Sequence, residues 1–358
     1  MSKFLMIDVG AGTMDVLFLD SEAGLQYKAV LRSPVLTVAE QAARTPGNLL
    51  ITGVEMGGGP LAAILRQRAQ RDEIVMSSSA AMTLHHQVEQ VRSWGIRVIP
   101  DGEAEDFRPT AGFTVLSLAD IDKDRLRSLF FCFGVSFRFD VVGVCAQDHG
   151  IPPEGSSHLE HRHRIFAAAL DQNPTPNVLL FSHDKIPETF HRLRCAARCA
   201  MDLPTREAYA MDSGMAAILG ASMDIMIGGR ERILVLDVAT SHTVGAALTG
   251  GEIAGFFEYH TRDVTRQRIE YLLEAMADGN LEHSRILREG GHGAYIRRAI
   301  GFDRVEDIVA TGPKRSLIEG SRLPIRLGSP GGDNMMTGTV GLLEAIRREK
   351  GLPPLPGI

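Results

Sequence analysis

The sequence has few cysteines and no block of positive charge. Only 4 of its 358 residues are cysteines, without a CxxC pair or the spacing of a disulfide framework, so we expect a reducing compartment. Lys and Arg number 38 against 44 Asp and Glu, which gives a net charge of −6. Because no Lys/Arg-rich block supplies an attracting field for phosphate backbones, nucleic acid is excluded as the expected partner.

Long apolar runs are missing as well. No segment reaches the roughly 20 apolar residues that cross a bilayer, and the start MSKFLMID becomes charged too soon for a signal peptide. We therefore expect a cytoplasmic protein without membrane contact. A chain of 358 residues can form two lobes, each with its own core.

The first distinctive segment is FLMIDVGAGTMDVLFLD, residues 4–20. Apolar runs on both sides of GAGT predict a β-hairpin. Glycines have no Cβ, so their backbone N–H groups can approach an anion closely. An aspartate at the strand end could hold Mg²⁺ through water, and a threonine hydroxyl could donate to a phosphate oxygen. The candidate ligands of ATP and Mg²⁺ here are Asp8, Gly10, Ala11, Gly12, Thr13 and Asp15.

Two commoner phosphate motifs are excluded for this segment. A Rossmann fingerprint needs a third glycine and a following helix, whereas Asp15 and β-forming residues follow here. The GxxxxGK[ST] motif of a Walker loop does not occur in the sequence. The alternative left open is an ordinary hairpin whose glycines serve only the turn.

A second copy of the pattern supports the anion-binding interpretation. Residues 233–248, ILVLDVATSHTVGAAL, repeat the apolar run, the Asp-Val pair and the small residues, with Asp237 in the place of Asp8. Two such hairpins predict two related lobes that face each other across a cleft. Cβ-bearing residues replace the glycines, so Thr240, Ser241 and Thr243 would offer hydroxyl donors instead.

These hairpins resemble the paired phosphate-binding hairpins of the actin, sugar kinase and heat-shock chaperone ATPase superfamily. Residues 212–224 resemble its connecting helix, 307–320 its adenosine motif, and 329–345 its glycine-rich loop and last helix. The resemblance adds nucleoside-binding candidates to the list: Gly312, Pro313, Lys314, Gly331, Gly332 and Asp333.

The fold that this resemblance implies is α/β. It has two lobes of the actin-like, ribonuclease H-like type, mixed sheets flanked by helices, and a nucleotide cleft between the lobes. The first lobe would span residues 1–211 with an α/β insertion at about 27–140, and the second lobe residues 212–358.

Two aspartates are candidate bases. The segment VVGVCAQDHG resembles a carbohydrate-kinase strand that points Gln147 and Asp148 into the cleft, which makes Asp148 a candidate base and Gln147 and His149 substrate candidates. Asp212 stands where the chaperone ATPases carry an acidic residue. The alternative for Asp148 is an aspartate that only begins a turn.

Two further segments could contact a substrate. Gly57, Gly58 and Gly59 lie between a predicted strand and helix, where free N–H groups could bind a carboxylate or phosphate, or could form only a flexible corner. His158, His161 and His163 are predicted to lie in a loop at the surface or cleft edge. The neighbouring arginines there disfavour a zinc site and favour an anion.

The amino-acid sequence as a whole also resembles an uncharacterised prokaryotic branch of the superfamily. Members of that branch are sometimes labelled as pyruvate formate-lyase activating proteins. A glycyl-radical activase needs a CxxxCxxC cluster motif, but Asp202 follows Cys195 and Cys199 at the third position. We interpret the two cysteines as small buried side chains. The expected function is ATP- and Mg²⁺-dependent phosphotransfer to a small metabolite, or ATPase activity towards a partner protein; the alternative is a non-catalytic nucleotide sensor or scaffold.

Overall fold

The computed structural model of the chain describes residues 2–107, 112–153, 155–224 and 227–353. Its strands form two six-stranded sheets and one four-stranded sheet. The strands of the first sheet are β1 Lys3–Val9, β2 Thr13–Asp20, β3 Leu25–Arg32, β8 Val141–Ala146, β9 Leu180–Ser182 and β10 Glu207–Asp212. The strands of the second are β11 Arg232–Val238, β12 His242–Thr249, β13 Glu252–His260, β14 Gly293–Ile296, β15 Asp307–Thr311 and β16 Ile325–Leu327.

The two six-stranded sheets share the order of five strands and differ in the position of the sixth, β9 beside β10 in the first and β14 beside β13 in the second. The first runs β3-β2-β1-β8-β10-β9 and the second β14-β13-β12-β11-β15-β16. In each, an antiparallel hairpin supplies a central strand that pairs in parallel with the next strand, β1 with β8 and β11 with β15. The central strands are buried apolar runs, as expected for strands covered on both faces. The predicted α/β class with two related mixed sheets is confirmed.

The third sheet forms a separate body with its own core. Its strands are β4 Asn48–Gly53, β5 Ile74–Ser77, β6 Arg97–Ile99 and β7 Phe113–Leu118, all parallel. This sheet lies within the segment expected as an insertion, although β3, which overlaps the start of that segment, belongs to the first six-stranded sheet. The expected lobe boundary after residue 211 falls at the end of β10.

Helices flank the sheets. They are α1 Pro34–Arg44, α2 Gly59–Arg68, α3 Ser78–Ala81, α4 Val88–Arg92, α5 Asp101–Asp106, α6 Lys123–Phe133, α7 His158–Gln172, α8 His191–Met201, α9 Ser213–Ser222, α10 Arg266–Ala277, α11 His283–Arg288 and α12 Thr337–Glu349. Within the described ranges, no helix is both long enough and apolar enough to cross a membrane.

Two small-residue helices cross between the six-stranded sheets. A side chain on Gly220 of α9 would collide with the carbonyl of Thr337, and one on Gly341 of α12 with the carbonyl of Ala216. Glycine at these two positions therefore lets the helix backbones touch. The small residues of α9 allow this close crossing, and the partner helix is α12, whose other face packs on β1 and β8.

The predicted loop with His158, His161 and His163 is wrong, because these residues begin helix α7. The Ser157 side chain accepts a hydrogen bond from the Glu160 backbone N–H and caps the helix. The pattern Ser-x-x-Glu is a capping box and could have revealed the helix start. Arg162, one of the arginines expected in that surface or cleft-edge loop, lies on this helix and is buried.

Candidate functional site

A cavity of about 840 Å³ lies between the two six-stranded sheets and the third sheet. Both hairpin turns line it: turn 1, residues 10–13, between β1 and β2, and turn 2, residues 239–242, between β11 and β12. The third sheet contributes residues 55–59 and 82–86. The cleft predicted between two related hairpins is therefore present.

The two turns have the same backbone hydrogen bonds. The N–H of Gly10 donates to the carbonyl of Thr13 at 3.0 Å, and the N–H of Ala239 donates to the carbonyl of His242 at 3.0 Å. The Cβ-bearing residues of turn 2 thus reproduce the path of the glycine turn. This local equivalence makes turn 2 a second candidate anion cradle.

Each turn rests on a buried hydroxyl residue that sequence reasoning missed. The Ser33 hydroxyl donates to the Gly10 carbonyl at 2.6 Å, and its N–H donates to the Gly12 carbonyl at 3.0 Å. Thr261 repeats both bonds in the second lobe, to the carbonyls of Ala239 and Ser241, each at 2.8 Å. The hydroxyls hold the turns from outside, so that the turns' remaining N–H groups can serve a ligand.

The two turns touch each other. A Cβ atom on Gly12 would lie 2.9 Å from the Thr240 side chain. Gly12 does not have a positive φ, so the need for glycine there comes from this contact alone. The close approach places the N–H groups of both turns at one end of the cavity.

Three aspartates lie at this end of the cavity: Asp8, Asp15 and Asp237. Burial, with Asp237 nearby, raises the pKa of Asp8 to about 7. Burial and the charge of Asp8 raise the pKa of Asp15 to about 8. Burial also raises the pKa of Asp237 to about 6, although the Thr311 hydroxyl donates to Asp237 at 2.9 Å. Such unfavourable ionisation is what a bound cation would relieve.

The hydroxyl residues predicted around turn 2 divide into two groups. Thr240 and Ser241 line the cavity, and the Ser241 hydroxyl bonds the His242 Nδ1 at 2.8 Å. Thr243 is fully buried, and its hydroxyl bonds that of Thr261 at 3.0 Å. Its side chain therefore supports the strand pair and does not line the cavity.

The expected adenosine segment begins with strand β15 and a turn at Gly312, which has φ +90°. A Cβ there would also meet the Val238 carbonyl at 2.6 Å, so both conformation and space require glycine. A 3-10 turn, not an α-helix, follows at residues 315–318. Gly312 and Pro313 line the cavity, whereas Lys314 is exposed outside it.

The predicted 331–333 loop supports the cavity wall instead of lining it. The Lys28 ammonium donates to the Gly331 carbonyl, Gly332 has φ +79°, and the Asp333 carboxylate accepts from the Met335 N–H at 2.9 Å. The next residue, Asn334, does line the cavity and donates to the Gly312 carbonyl at 3.1 Å.

Asp148 lines the cavity but is engaged by backbone N–H groups. One oxygen accepts from Gly150 at 2.8 Å and the other from Leu193 in the first turn of α8 at 3.0 Å. Burial nevertheless raises its pKa. The bond to Gly150 matches the alternative in which Asp148 begins a turn, and the bond to Leu193 also ties Asp148 to the first turn of α8.

Asp212 is buried and lies behind the cavity-lining residues Ser213 and Gly214. It caps α9 through the Met215 N–H at 3.1 Å and pairs with the Arg162 guanidinium at 2.8 Å. Arg162 also pairs with Glu258 of β13 at 3.3 Å. This buried triad joins α7 of the first lobe to the second lobe, and no sequence pattern indicated Arg162 or Glu258.

The glycine corner at residues 57–59 lines the cavity against a charged pair. Arg192 donates to both oxygens of Asp120, at 2.8 and 3.0 Å, and Asp120 also accepts from the Gly57 N–H at 3.2 Å. The Arg192 guanidinium would contact any Cβ on Gly57, at 3.0 Å. The Gly57 end of the corner is therefore held by a hydrogen bond to the charged pair.

Gln147 and His149 both line the cavity. Gln147 donates to Glu258 at 2.5 Å across the lobes. His149 lies beside two histidines that the sequence analysis did not select, His242 and His292. The site thus contains every candidate of turn 1 and most candidates of turn 2, together with an imidazole cluster that was missed.

The chain belongs to the family described as "Putative pyruvate format-lyase activating enzyme (DUF1786)", whose model matches residues 56–317. No curated protein matches the sequence.

Several solved structures resemble the chain over nearly its whole length. An MreB5 of Spiroplasma citri bound to ADP is 12% identical, covers 98% of this chain and 99% of its own, and has a TM-score of 0.35. A ROK hexokinase of Thermus thermophilus is 15% identical, with coverages of 98% and 99% and a TM-score of 0.32. A putative N-acetylmannosamine kinase of Listeria monocytogenes is 9% identical, with coverages of 97% and 99% and a TM-score of 0.34. Likenesses at these scores do not bear on what this chain binds.

Proposed function

We propose that the cavity binds ATP with Mg²⁺ and that the two turns hold its phosphates from opposite lobes. The observation that carries the proposal is the contact of Gly12 with Thr240, because it brings two equivalent hairpins to one point of a shared cavity. Only a polyanion with several oxygens can use both sets of N–H groups at once.

The residues present fit both parts of this ligand. One carboxylate oxygen of the buried Asp15 has no hydrogen-bond partner, and the pKa values of Asp8, Asp15 and Asp237 are all raised. Carboxylate oxygens are the ligands that Mg²⁺ prefers, directly or through water. The cavity of about 840 Å³ is within the range of small-molecule sites, roughly 300–1,000 Å³.

Each part of the cavity then has a task. Mg²⁺ would neutralise phosphate charge, with Asp8 and Asp237 holding its water shell. Ala11 and Gly12 offer N–H groups without bulky side chains, Gly10 closes the turn through its own N–H, and the Thr13, Thr240 and Ser241 hydroxyls add donors. Gly312, Pro313 and Asn334 provide the wall for the nucleoside. Residues 331–333 hold that wall in place through Lys28 and the cap on Met335.

Phosphotransfer to a small metabolite, or ATP hydrolysis linked to a partner protein, is the activity we propose for this site. Asp148 is the candidate that lines the cavity and could accept a proton from an acceptor hydroxyl or water. Asp212 lies behind the cavity and pairs with Arg162. It would therefore act indirectly, by helping to hold the two lobes together. We place this activity in the cytoplasm, where the four free thiols stay reduced.

A non-catalytic nucleotide sensor is the second candidate, and one observation favours it. Both oxygens of Asp148 accept backbone N–H groups, and Asp212 is committed to a helix cap and an ion pair. Neither carboxylate therefore has an unengaged oxygen that could serve as a strong general base. In a sensor, ATP would close the lobes without being consumed.

We do not propose glycyl-radical activation, despite the description of the family. Cys195 and Cys199 lie on α8, and Asp202 occupies the third position of a cluster motif. In the described parts of the chain, the one group of three or more clustered metal-ligand side chains contains histidines and no cysteine. Cysteine thiolates are the usual ligands of an iron–sulfur cluster.

The test uses the full chain with ATP, with and without Mg²⁺. A rise in melting temperature that needs both components supports the binding site, and AMP serves as the matched control without the outer phosphates. Phosphate release above the protein-free rate supports the enzyme, and binding without release supports the sensor. No shift at millimolar ATP and Mg²⁺ would remove the proposal.

A further inference from the structure

We propose that His149, His242 and His292 bind one divalent transition-metal ion of the zinc type at the cavity wall. One ligand atom from each residue lies within 4.8 Å of the other two. His149 follows β8 of the first lobe, whereas His242 begins β12 and His292 precedes β14 of the second. The site is therefore built by both lobes, and it differs in chemistry from the carboxylates around turn 1.

The spacing is close to what a metal requires. Zinc–nitrogen bonds of about 2.0–2.1 Å in a tetrahedron place the nitrogens about 3.4 Å apart. The observed separations of up to 4.8 Å need only small rotations of the rings to reach that value. The ring centroids of His242 and His292 are already 4.8 Å apart, and those of His149 and His292 are 6.0 Å apart.

Two of the three rings have a buried nitrogen without a hydrogen-bond partner. The Ser241 hydroxyl occupies Nδ1 of His242 at 2.8 Å, while the buried Nε2 of His242 has no partner. Nδ1 of His292 is also buried without a hydrogen bond, and it lies 3.7 Å from the Glu258 carboxylate. A buried imidazole nitrogen without a partner costs free energy, which a metal bond would recover. A hydroxyl on the far nitrogen of a ring, as Ser241 is on His242, is a typical support of a metal-binding histidine.

The charges around the cluster permit a cation. The positive charge of Arg162 would repel a metal cation. Asp212 and Glu258 pair with Arg162 at 2.8 and 3.3 Å, however, so the three side chains together carry one net negative charge.

Three nitrogen ligands leave a coordination position open. All three histidines line the cavity, as does His260, whose ring centroid is 4.3 Å from that of His292. Three imidazoles plus an open position are typical of a site that binds water or a substrate oxygen. Neutral imidazoles favour Zn²⁺, Co²⁺ or a related ion over Mg²⁺, which prefers oxygen. The ion would thus hold an oxygen ligand in the cavity while joining the lobes.

The test measures Co²⁺ and Zn²⁺ binding to the tag-free full chain after chelation and dialysis, without nucleotide. We expect one Co²⁺ per chain with the visible spectrum of a four- or five-coordinate nitrogen site, displaced by one equivalent of Zn²⁺. His149→Gln, His242→Gln and His292→Gln should each weaken binding at least tenfold.

Two control variants locate the ion. His158→Gln changes a histidine that lines the same cavity outside the cluster, and His283→Gln removes one ring of the stacked pair His163–His283, whose centroids are 3.5 Å apart. Both controls should bind Co²⁺ as the wild type does. Loss of binding in His283→Gln with retention in the cluster variants would overturn the assignment. The wild-type measurement tests the assignment even if a variant fails to fold. If the wild type shows no spectrum of one bound Co²⁺ per chain, the assignment is overturned.

Discussion

Gly12 in the first hairpin lies so close to Thr240 in the second that a Cβ atom on Gly12 would be 2.9 Å from the Thr240 side chain. The two residues are 228 positions apart in the chain and belong to different sheets. Their contact defines the end of the cavity that both turns line. The proposed phosphate site depends on this contact.

The first prediction concerns that contact. Gly12→Ala should weaken Mg²⁺–ATP binding by about tenfold or more, equivalent to about 1.4 kcal/mol, because the new methyl group forces the turns apart. The double variant Gly12→Ala/Thr240→Gly should lose less affinity than the sum of the two single losses, since the colliding side chain is gone. Titration calorimetry on the four proteins of this cycle measures the coupling. Additive losses would show that the two turns do not share one ligand.

Asp8 is predicted to be responsible for the Mg²⁺ dependence of ATP binding. Asp8→Asn keeps the size of the side chain but removes its charge, so the Mg²⁺-dependent part of the ATP-induced melting shift should vanish. The apo protein should not lose stability, because ionisation of this carboxyl is already unfavourable in the fold, where its pKa is about 7. Asp303→Asn, at an exposed residue, is the control. An unchanged magnesium response would remove Asp8 from the site.

Arg162 is predicted to be important for stability. Arg162→Met leaves the buried carboxylates of Asp212 and Glu258 without their cation. Loss of one partner from a buried ion pair costs about 3–5 kcal/mol, measured as the free energy of unfolding in urea. The exposed neighbour Arg164 offers the matched control Arg164→Met, expected within about 0.5 kcal/mol of wild type. Similar values for the two variants would contradict the triad's role.

His191 is predicted to make stability depend on pH. The Cys195 sulfur, 3.7 Å from Nδ1, and the Glu55 carboxylate, 2.5 Å from it, raise the pKa of His191 to about 10 from 6.5. The folded state therefore holds this proton more tightly than the unfolded state does. The stabilisation is complete below pH 6.5 and is lost as the pH rises through about 10.

The corresponding test compares melting temperatures of wild type and His191→Gln across that pH range. The wild type should be more stable at the acid end, and the difference should shrink towards the alkaline end. His183→Gln, at an exposed histidine, should show no such trend. A difference that grows with pH would mean that His191 is neutral in the fold.

The candidate site was predictable where the signal is local. Turn 1 was recognised from Gly10 and Gly12 between two apolar runs, and turn 2 from the repetition of Asp8 as Asp237. Turn conformation depends on a few neighbouring residues, so their pattern is sufficient. Ser33 and Thr261, which hold these turns, were missed because each acts from another segment of the chain.

The same distinction explains the errors and omissions. Arg162 was placed in a loop although the Ser157 cap begins a helix there, and its two carboxylate partners are 50 and 96 residues away. Asp148 was a candidate base, and only the structure shows both its oxygens bonded to backbone N–H groups.

The amino-acid sequence by itself determined the two hairpins, their repetition and the alternation of strands and helices, since these follow from glycine conformation and hydrophobic periodicity over short segments. Only the tertiary structure decided that Gly12 meets Thr240, that α9 crosses α12, and that His149 joins His242 and His292 at one cavity. These contacts depend on how two sheets are packed against shared helices. No local preference specifies the relative position of residues that lie so far apart in the chain.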